Sequence, residues 1–346
     1  MKISRRSFLK VAGAAGMAGA LAACGGASSS TAASSAAASG STSAANGDVT
    51  IRMTWWGGQT RHDLTQKVLD KYTELNPHVH FETTPSGWDG YFEKLATDTA
   101  TGGMADIVQM DYMYISTYAK NGSLADLSEY ASNGTLDISN VDDALMDAGT
   151  IDGKMVGIPL STSLVSFIYN PSVLEEAGVE APKNGWTWDD FGTIGANAGN
   201  DTLELLVPPV KKAGEKALWY KPGMFFSVAE TSKVKDAAAA FISWFLNSDE
   251  ANDIMLGERE TPSASTARDH LTSSGALSEK QVEMFDFVSD AADYCGSTPA
   301  PDPSGISEVN TQFKDIAYSV FYGQATPAEA AQTFFDTANS ILAANN

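Results

Sequence analysis

Val49-Thr50-Ile51-Arg52-Met53-Thr54-Trp55, closed by Gly57-Gly58 and followed by Leu64, Val68, Leu69 and Tyr72 on one helical face, spells a strand, a turn and an amphipathic helix in that order. Asn76-Pro77 stops the helix. His78 to Thr83 then predicts a second strand, Pro85 to Gly87 a turn, and Tyr91 to Thr99 a second helix. After Gly102-Gly103, Ala105 to Met110 is a near-continuous apolar run of the kind a parallel sheet buries on both faces. Strand and helix alternating over about 60 residues predict an α/β lobe with right-handed crossovers.

Further along, Asp152-Gly153 between two apolar pieces predicts a hairpin leading into a strand from Leu164 to Tyr169. Asn170-Pro171 ends that strand and opens a helix, and Thr187 reads as the N-cap of another helix holding Trp188 and Phe191. Leu203 to Val207 is a short apolar strand. Ala217 to Val228 is an aromatic strand broken at Pro222-Gly223, and a strongly patterned helix runs from about Val234 to Leu246. Helix starts are marked near Ser278, Pro303 and Pro327.

Upstream of the first strand the chain is of a different character. Ser4-Arg5-Arg6-Ser7-Phe8-Leu9-Lys10, a short Ala/Gly-rich apolar run and Leu21-Ala22-Ala23-Cys24 follow the order of a twin-arginine lipoprotein signal over residues 1–23, with Cys24 as the lipidation site. The apolar run is too short to span a bilayer. Residues 24–47 are almost all Ala, Ser, Gly and Thr, which predicts a flexible linker. These features predict an extracytoplasmic protein, lipid-anchored to the outer face of the cell membrane.

Composition narrows the partners. The formal net charge is -21, and removing residues 1–23 takes away Lys2, Arg5, Arg6 and Lys10 with no acid, so the mature chain is more acidic still. Nucleic acid is not an expected partner. The roughly 300 residues after the linker exceed what one core usually supports, which predicts two lobes. With two cysteines in all, Cys24 and Cys295, no intrachain disulfide is expected once Cys24 is lipidated, and Cys295 reads as a structural thiol.

Several short motifs in fixed order carry a resemblance. They are Thr54-Trp55-Trp56-Gly57-Gly58, Gly87-Trp88-Asp89-Gly90-Tyr91, Ala105 to Asp111, Asp152-Gly153-Lys154 with Gly157-Ile158-Pro159, Trp186 to Phe191, and Gly257 to Pro262. Together they resemble the family 1 extracellular solute-binding proteins, the carbohydrate-binding lipoproteins of ABC importers. The resemblance implies a two-lobed periplasmic-binding-protein type II fold that hinges shut over sugar. It implies chain crossings near Pro159-Leu160, Phe226-Ser227 and Ser297. The first lobe would be 48–158 with 228–297, and the second 159–227 with 298–346. Between Gly192 and Asn200 the family carries something on the order of 80 to 100 further residues, so the second lobe reads as truncated, with a junction near Gly192 to Ala196.

Sugars present hydroxyl rims and weakly apolar faces, and are held by aromatic platforms beside carboxylates, amides and guanidinium groups. On that basis the candidate ligand-binding residues are Trp56, Trp88, Asp111, Tyr112, Gln59, Arg61, Ser161, Phe225 and Arg259. Asp111 and Tyr112 follow a buried strand directly, at the carboxyl edge where open α/β sheets bind ligands. No G-x-S-x-G, H-E-x-x-H or P-loop pattern is present, and the chain is expected to be no enzyme and to need no cofactor. His78, His80 and Glu82 alternate on a strand but read as a solvated edge rather than a metal site. The expected activity is delivery of a mono- or oligosaccharide to ABC permease subunits by a monomer. A surface-anchored glycan-degrading enzyme and a truncated, non-functional relative are the alternatives.

Overall fold

Apolar runs in the first half of the chain become a central sheet because their alternating helices cover both faces. The computed structural model describes residues 47–176, 178, 180–187 and 204–345. Strand β1 (Val49–Thr54), helix α1 (Gln59–Leu75), β2 (Val79–Thr83), α2 (Tyr91–Ala100) and β3 (Ile107–Met110) form the expected alternation. β1 pairs in parallel with β2 on one side and β3 on the other, and all four residues of β3 are buried. α1 buries Thr65, Val68, Leu69 and Tyr72, the face its 3.6-residue period selects. The Asp152-Gly153 hairpin forms with both residues at positive φ (51° and 77°), as a two-residue turn between twisted strands requires.

The sheet is completed from far along the chain. β4 (Ile158–Pro159), β5 (Ser161–Ser163), β6 (Lys221–Pro222) and β7 (Phe225–Val228) come from two passes of chain. The five-stranded order is β2-β1-β3-β7-β4, with β7 antiparallel to both neighbours. Thus Phe225 already pairs with Met110 and enters the first sheet ahead of the boundary expected at residue 228. Past Leu160 and Gly223-Met224 the same two passes separate into a second sheet, order β6-β5-β8, where β8 is Thr261–Pro262. The Leu160 amide donates to Met224 O (2.9 Å) and the Gly223 amide to Ser161 O (3.1 Å), so the ladder runs unbroken through the bend. The bend at Leu160 lies at the place where a crossing is expected near Pro159-Leu160, and the bend at Gly223-Met224 lies a few residues before the one expected near Phe226. The stretch around Cys295 to Thr298 runs beside Leu218 to Tyr220, through Gly296 N to Leu218 O (2.7 Å) and Thr298 Oγ1 to Tyr220 O (3.0 Å).

Helices α3 (Lys235–Asn247), α4 (Asp249–Met255), α5 (Ser265–Ser274) and α6 (Glu279–Asp290) follow. α3 packs Phe241 against Tyr72 and Phe81, centroids 5.1 and 4.9 Å away, which ties the later chain to α1 and β2. Beyond the bend the described residues hold little sheet. Phe167–Tyr169 pairs antiparallel with Glu204–Leu206 as a two-stranded ribbon, and the strand expected from Leu164 begins at Phe167. Thr187, read as a helix cap, forms a parallel bridge with Val210, and the helix it was expected to open lies outside the described residues. Trp186 donates from its indole to Val207 O (2.6 Å), and Val207, Leu218, Ala291 and Cys295 form a small core. Burial pushes the Cys295 thiol up to about 11, which suits a structural rather than a reactive cysteine. The chain ends in an antiparallel hairpin of α7 (Ile306–Phe321) and α8 (Pro327–Ala344), the latter begun by a capping box between Thr326 and Glu329. The signal, Cys24, the linker up to residue 46, the helix at Trp188 and Phe191, and the junction at 192–196 lie outside the described residues.

Candidate carbohydrate-binding edge

The carboxyl ends of β1 and β3 lie side by side, so the residues just past them share one edge of the sheet. After β1 come Trp55 and Trp56, which point to opposite faces as successive strand residues must. Trp55 is buried, its indole donating to His62 Nδ1 (3.1 Å). Trp56 is also buried and makes a bridge to Ser86. It is therefore a support rather than an open platform. Its ring meets Trp88 edge-on (5.2 Å, 81°) and also Tyr91 and Phe92.

Trp88 is the exposed end of this aromatic group, with 45% of its surface open to solvent. Phe92 stands at 5.4 Å and Tyr114 at 6.4 Å from it, and Phe92 and Tyr114 stack flat on each other (3.7 Å, 13°). A large indole is thus held at a fixed angle by rings behind it while part of its surface faces water. Edge-to-face packing of this kind contributes about 1 kcal/mol per pair beyond simple burial.

After β3 come Asp111 and Tyr112. The Asp111 Oδ1 accepts the Met113 amide (2.8 Å), a local turn that aims the carboxylate along the sheet edge. Burial raises the Asp111 pKa above the ordinary carboxylate value. The Met113 amide and Lys221 oppose the rise, and Asp302 adds to it. Tyr112 is buried, donates to Pro299 O (2.7 Å), and sits 5.8 Å from Trp219 and 6.0 Å from Lys221 Nζ. Its phenol is pushed up to about 12 by burial and by Asp302. Tyr114 is raised too, by burial, Asp111 and Glu93, while a hydrogen bond with Ser307 works against it.

The edge therefore gathers Trp56, Trp88, Asp111 and Tyr112, four of the residues expected from sequence. It adds Tyr114, Lys221 and Asp302, which sequence reasoning did not select, and Trp219, an aromatic beside the second expected crossing. Tyr114 was findable as the aromatic three positions after Asp111. Lys221 and Asp302 reach the edge from distant parts of the chain and leave no local signal.

The other expected residues have other work. Gln59 is exposed and donates to Asp63 one helical turn on (2.8 Å). Arg61 lies over Gly57, where a Cβ would stand 2.6 Å from its Cδ, and it clasps Glu258 O (3.0 Å) and the Glu258 carboxylate (3.6 Å). Ser161 is fully buried and donates to Glu260 Oε2 (3.2 Å) at the bend. Phe225, expected on the cleft, is fully buried in the sheet core: its pairing with Met110 and Pro159 turns the ring against Gly149 and Gly157. Arg259 is buried as well, donating to Gln109 and to Thr65 Oγ1 (2.9 Å), with its guanidinium 5.4 Å from the Phe226 ring. Burial pushes Arg259 down to about 9. Among the described residues no group of three His, Cys, Asp or Glu side chains could hold a metal ion, and no helix is long and apolar enough to cross a membrane.

Comparison with known proteins bears on the fold. Residues 58–205 match the family described as bacterial extracellular solute-binding protein, and residues 2–22 match the twin-arginine translocation pathway signal sequence. A diacetylchitobiose binding protein of Streptomyces coelicolor is 27% identical over 205 residues, which are 58% of this chain and 45% of that one. A lactose-binding protein of Rhizobium radiobacter is 28% identical over 174 residues, 47% of this chain and 39% of that one. The chain thus spans less than half the length of the curated relatives it matches, and both relatives are the longer proteins. A periplasmic oligogalacturonide binding protein from Yersinia enterocolitica, solved with digalacturonic acid, is 20% identical at a TM-score of 0.68, covering 86% of this chain and 100% of that one. At that identity the likeness speaks for the fold, the two-lobed α/β fold of periplasmic solute-binding proteins.

Proposed function

We propose that this chain is a bacterial extracellular solute-binding protein that captures a carbohydrate at the Trp88–Asp111 edge and delivers it to the permease of an ABC importer. It is exported on a twin-arginine signal. In the proposal it then remains on the outer face of the membrane through a lipid on Cys24.

The observation that carries this reading is Trp88, a half-exposed indole braced by Trp56, Phe92 and Tyr114, the last of which also feels the Asp111 carboxylate. An exposed indole face matches the apolar C–H face of a pyranose, and a carboxylate with free lone pairs accepts from sugar hydroxyls. Lys221 supplies a donor on the same edge. The paired strands at Leu160 and Gly223-Met224 are the joint about which a second lobe closes, and closure is stabilised only by ligand contacts stronger in the closed form than in the open one. The diacetylchitobiose and lactose relatives support a sugar as the ligand class.

Titration calorimetry of the full chain with neutral, amino and uronic acid oligosaccharides tests the proposal. Saturable heat with one class, abolished in Trp88→Ala and without release of reducing ends, supports it. Release of reducing ends would instead mark a glycan-degrading enzyme. Membrane fractionation tests the anchor: Cys24→Ala should move the exported protein from membrane to soluble fraction.

A further inference from the structure

The second sheet has two faces, and only one of them looks toward the Trp88–Asp111 edge. In the ladder of β5 with β6, Ser163 stands opposite Lys221 and Thr162 opposite Pro222. Lys221 lies over the Tyr112 ring, so Thr162 and Tyr220, each one step along its strand, face the other way. On that far face, beside α5 and α6, is a cavity of about 270 Å³ lined by Asp142, Thr162, Tyr220 and Arg268 with the apolar Leu145 and Val288. Tyr220 is fixed there by donating to Val288 O (2.6 Å).

Arg268, half-buried on α5, gives the cavity its chemistry. Its Nη1 donates to Pro262 O (2.7 Å) and Ser263 O (2.8 Å), which uses both hydrogens of that nitrogen and fixes the guanidinium plane. The Nε–Nη2 edge, the fork that fits a carboxylate bidentately, has no partner among the described residues, and no carboxylate there is at ion-pair distance from Arg268. Burial pulls the Arg268 pKa down, and Asp269, Tyr220 and Asp142 act against the fall. Asp142 faces the same cavity. Its Oδ1 accepts the Ala144 amide (2.8 Å) as the cap of the short helix Asp143–Ala148, which leaves Oδ2 for a ligand. Thr162 is buried, and its hydroxyl finds no hydrogen-bond partner.

One cavity thus holds a guanidinium and a carboxylate that do not pair with each other, and an unpartnered hydroxyl in its wall. A neutral molecule carrying both charges satisfies the two at once, whereas an anion would add to a net charge of -21. Size narrows the class further. The cavity falls below the ~300–1,000 Å³ of drug-sized sites, so a small metabolite fits and an oligosaccharide does not.

We propose that the far face of the joint carries a second binding site, for a neutral α-amino acid. The α-carboxylate lies on the Nε–Nη2 edge of Arg268 and accepts from Thr162. The α-ammonium donates to Asp142, and the side chain lies against Leu145 and Val288.

Titration calorimetry of the full chain with L-serine, L-threonine and L-valine tests the site, with propionate and propylamine as probes that bear one charge each. The expected result is saturable heat with at least one amino acid, and affinity at least tenfold weaker for both single-charge probes. Arg268→Gln and Asp142→Asn should each weaken amino acid binding at least tenfold, the second while keeping an acceptor for the Ala144 amide. Trp88→Ala should leave it unchanged. No heat with any of the three amino acids, or affinity kept in either charge variant, overturns the proposal. Propionate matching the amino acids overturns it in favour of a carboxylate site, and loss of binding in Trp88→Ala overturns it in favour of the Trp88–Asp111 edge. Should Arg268→Gln not fold, Thr162→Val decides, because it removes only an unpartnered hydroxyl: its melting temperature should hold or rise while amino acid binding weakens, and unchanged binding overturns the proposal.

Discussion

Trp88 and Asp111 divide the work of the edge, and each has its own signature. Replacing Trp88 with Ala removes its edge-on contacts with Trp56, Phe92 and Tyr114, so the apo melting temperature should fall, by the equivalent of about 1 kcal/mol per pair. The lost stacking surface should weaken sugar binding by about 2 kcal/mol, roughly 30-fold, by calorimetry. Asp111 behaves differently because it is buried. Its raised pKa means the folded state resists its ionisation, so its contribution to stability is more favourable below the folded pKa and declines as pH rises through it. Asp111→Asn keeps an acceptor for the Met113 amide and removes the buried charge. Its apo melting temperature at neutral pH should equal or exceed that of the wild type, while affinity falls about tenfold or more with the loss of a charge-assisted hydrogen bond. Phe225 shows where residue-level reading stops. An aromatic near a chain crossing reads equally well as cleft wall or core, and what decides is its pairing with Met110, more than a hundred residues earlier in the chain.

At the scale of elements, two contacts hold the first lobe in register. His270 on α5 meets Asp253 (2.7 Å) and Asp249 (3.4 Å) of α4, and the bond to Asp253 raises its pKa above 6.5. A raised histidine stabilises the fold below its unfolded pKa and loses that contribution as pH rises through the folded value. The wild-type melting temperature should therefore decline from slightly acidic to slightly basic pH, and His270→Gln should remove that part of the slope. Gly149 permits the tightest approach: a Cβ there would stand 1.9 Å from Gly157 O, a backbone atom. Gly149→Ala should cost about 3 kcal/mol in denaturant unfolding, since the hairpin base must move to relieve the clash. Elements with a clear period, such as α1 and β3, were legible because propensity and burial agree. β5 carries no strand signature in the sequence, because Ser161-Thr162-Ser163 has no apolar alternation. Its strand character comes from pairing with Lys221-Pro222 and Thr261-Pro262.

At the scale of the molecule, most of the described core gathers on the five-stranded sheet and its helices, while Phe167–Tyr169 with Glu204–Leu206 and the α7–α8 hairpin contribute little to it. A two-stranded ribbon is marginal by itself. The exposed rings of the hairpin lie outside that core. The order of motifs made the two-lobed fold readable, since each motif sits at a strand end or turn where backbone geometry restricts residue choice. The partners Lys221 and Asp302 were not readable, because the strand pairing and the Pro299 contact that bring them to Tyr112 depend on the assembled fold.

A thermal melt of the full chain with a panel of mono- and oligosaccharides tests the central claim most directly. Ligand at about a hundred times its dissociation constant should add roughly 2.7 kcal/mol to a folded binder. The account predicts a cooperative transition that one sugar class moves upward in the wild type but not in Trp88→Ala. A cooperative transition that none of the sugars moves would contradict it.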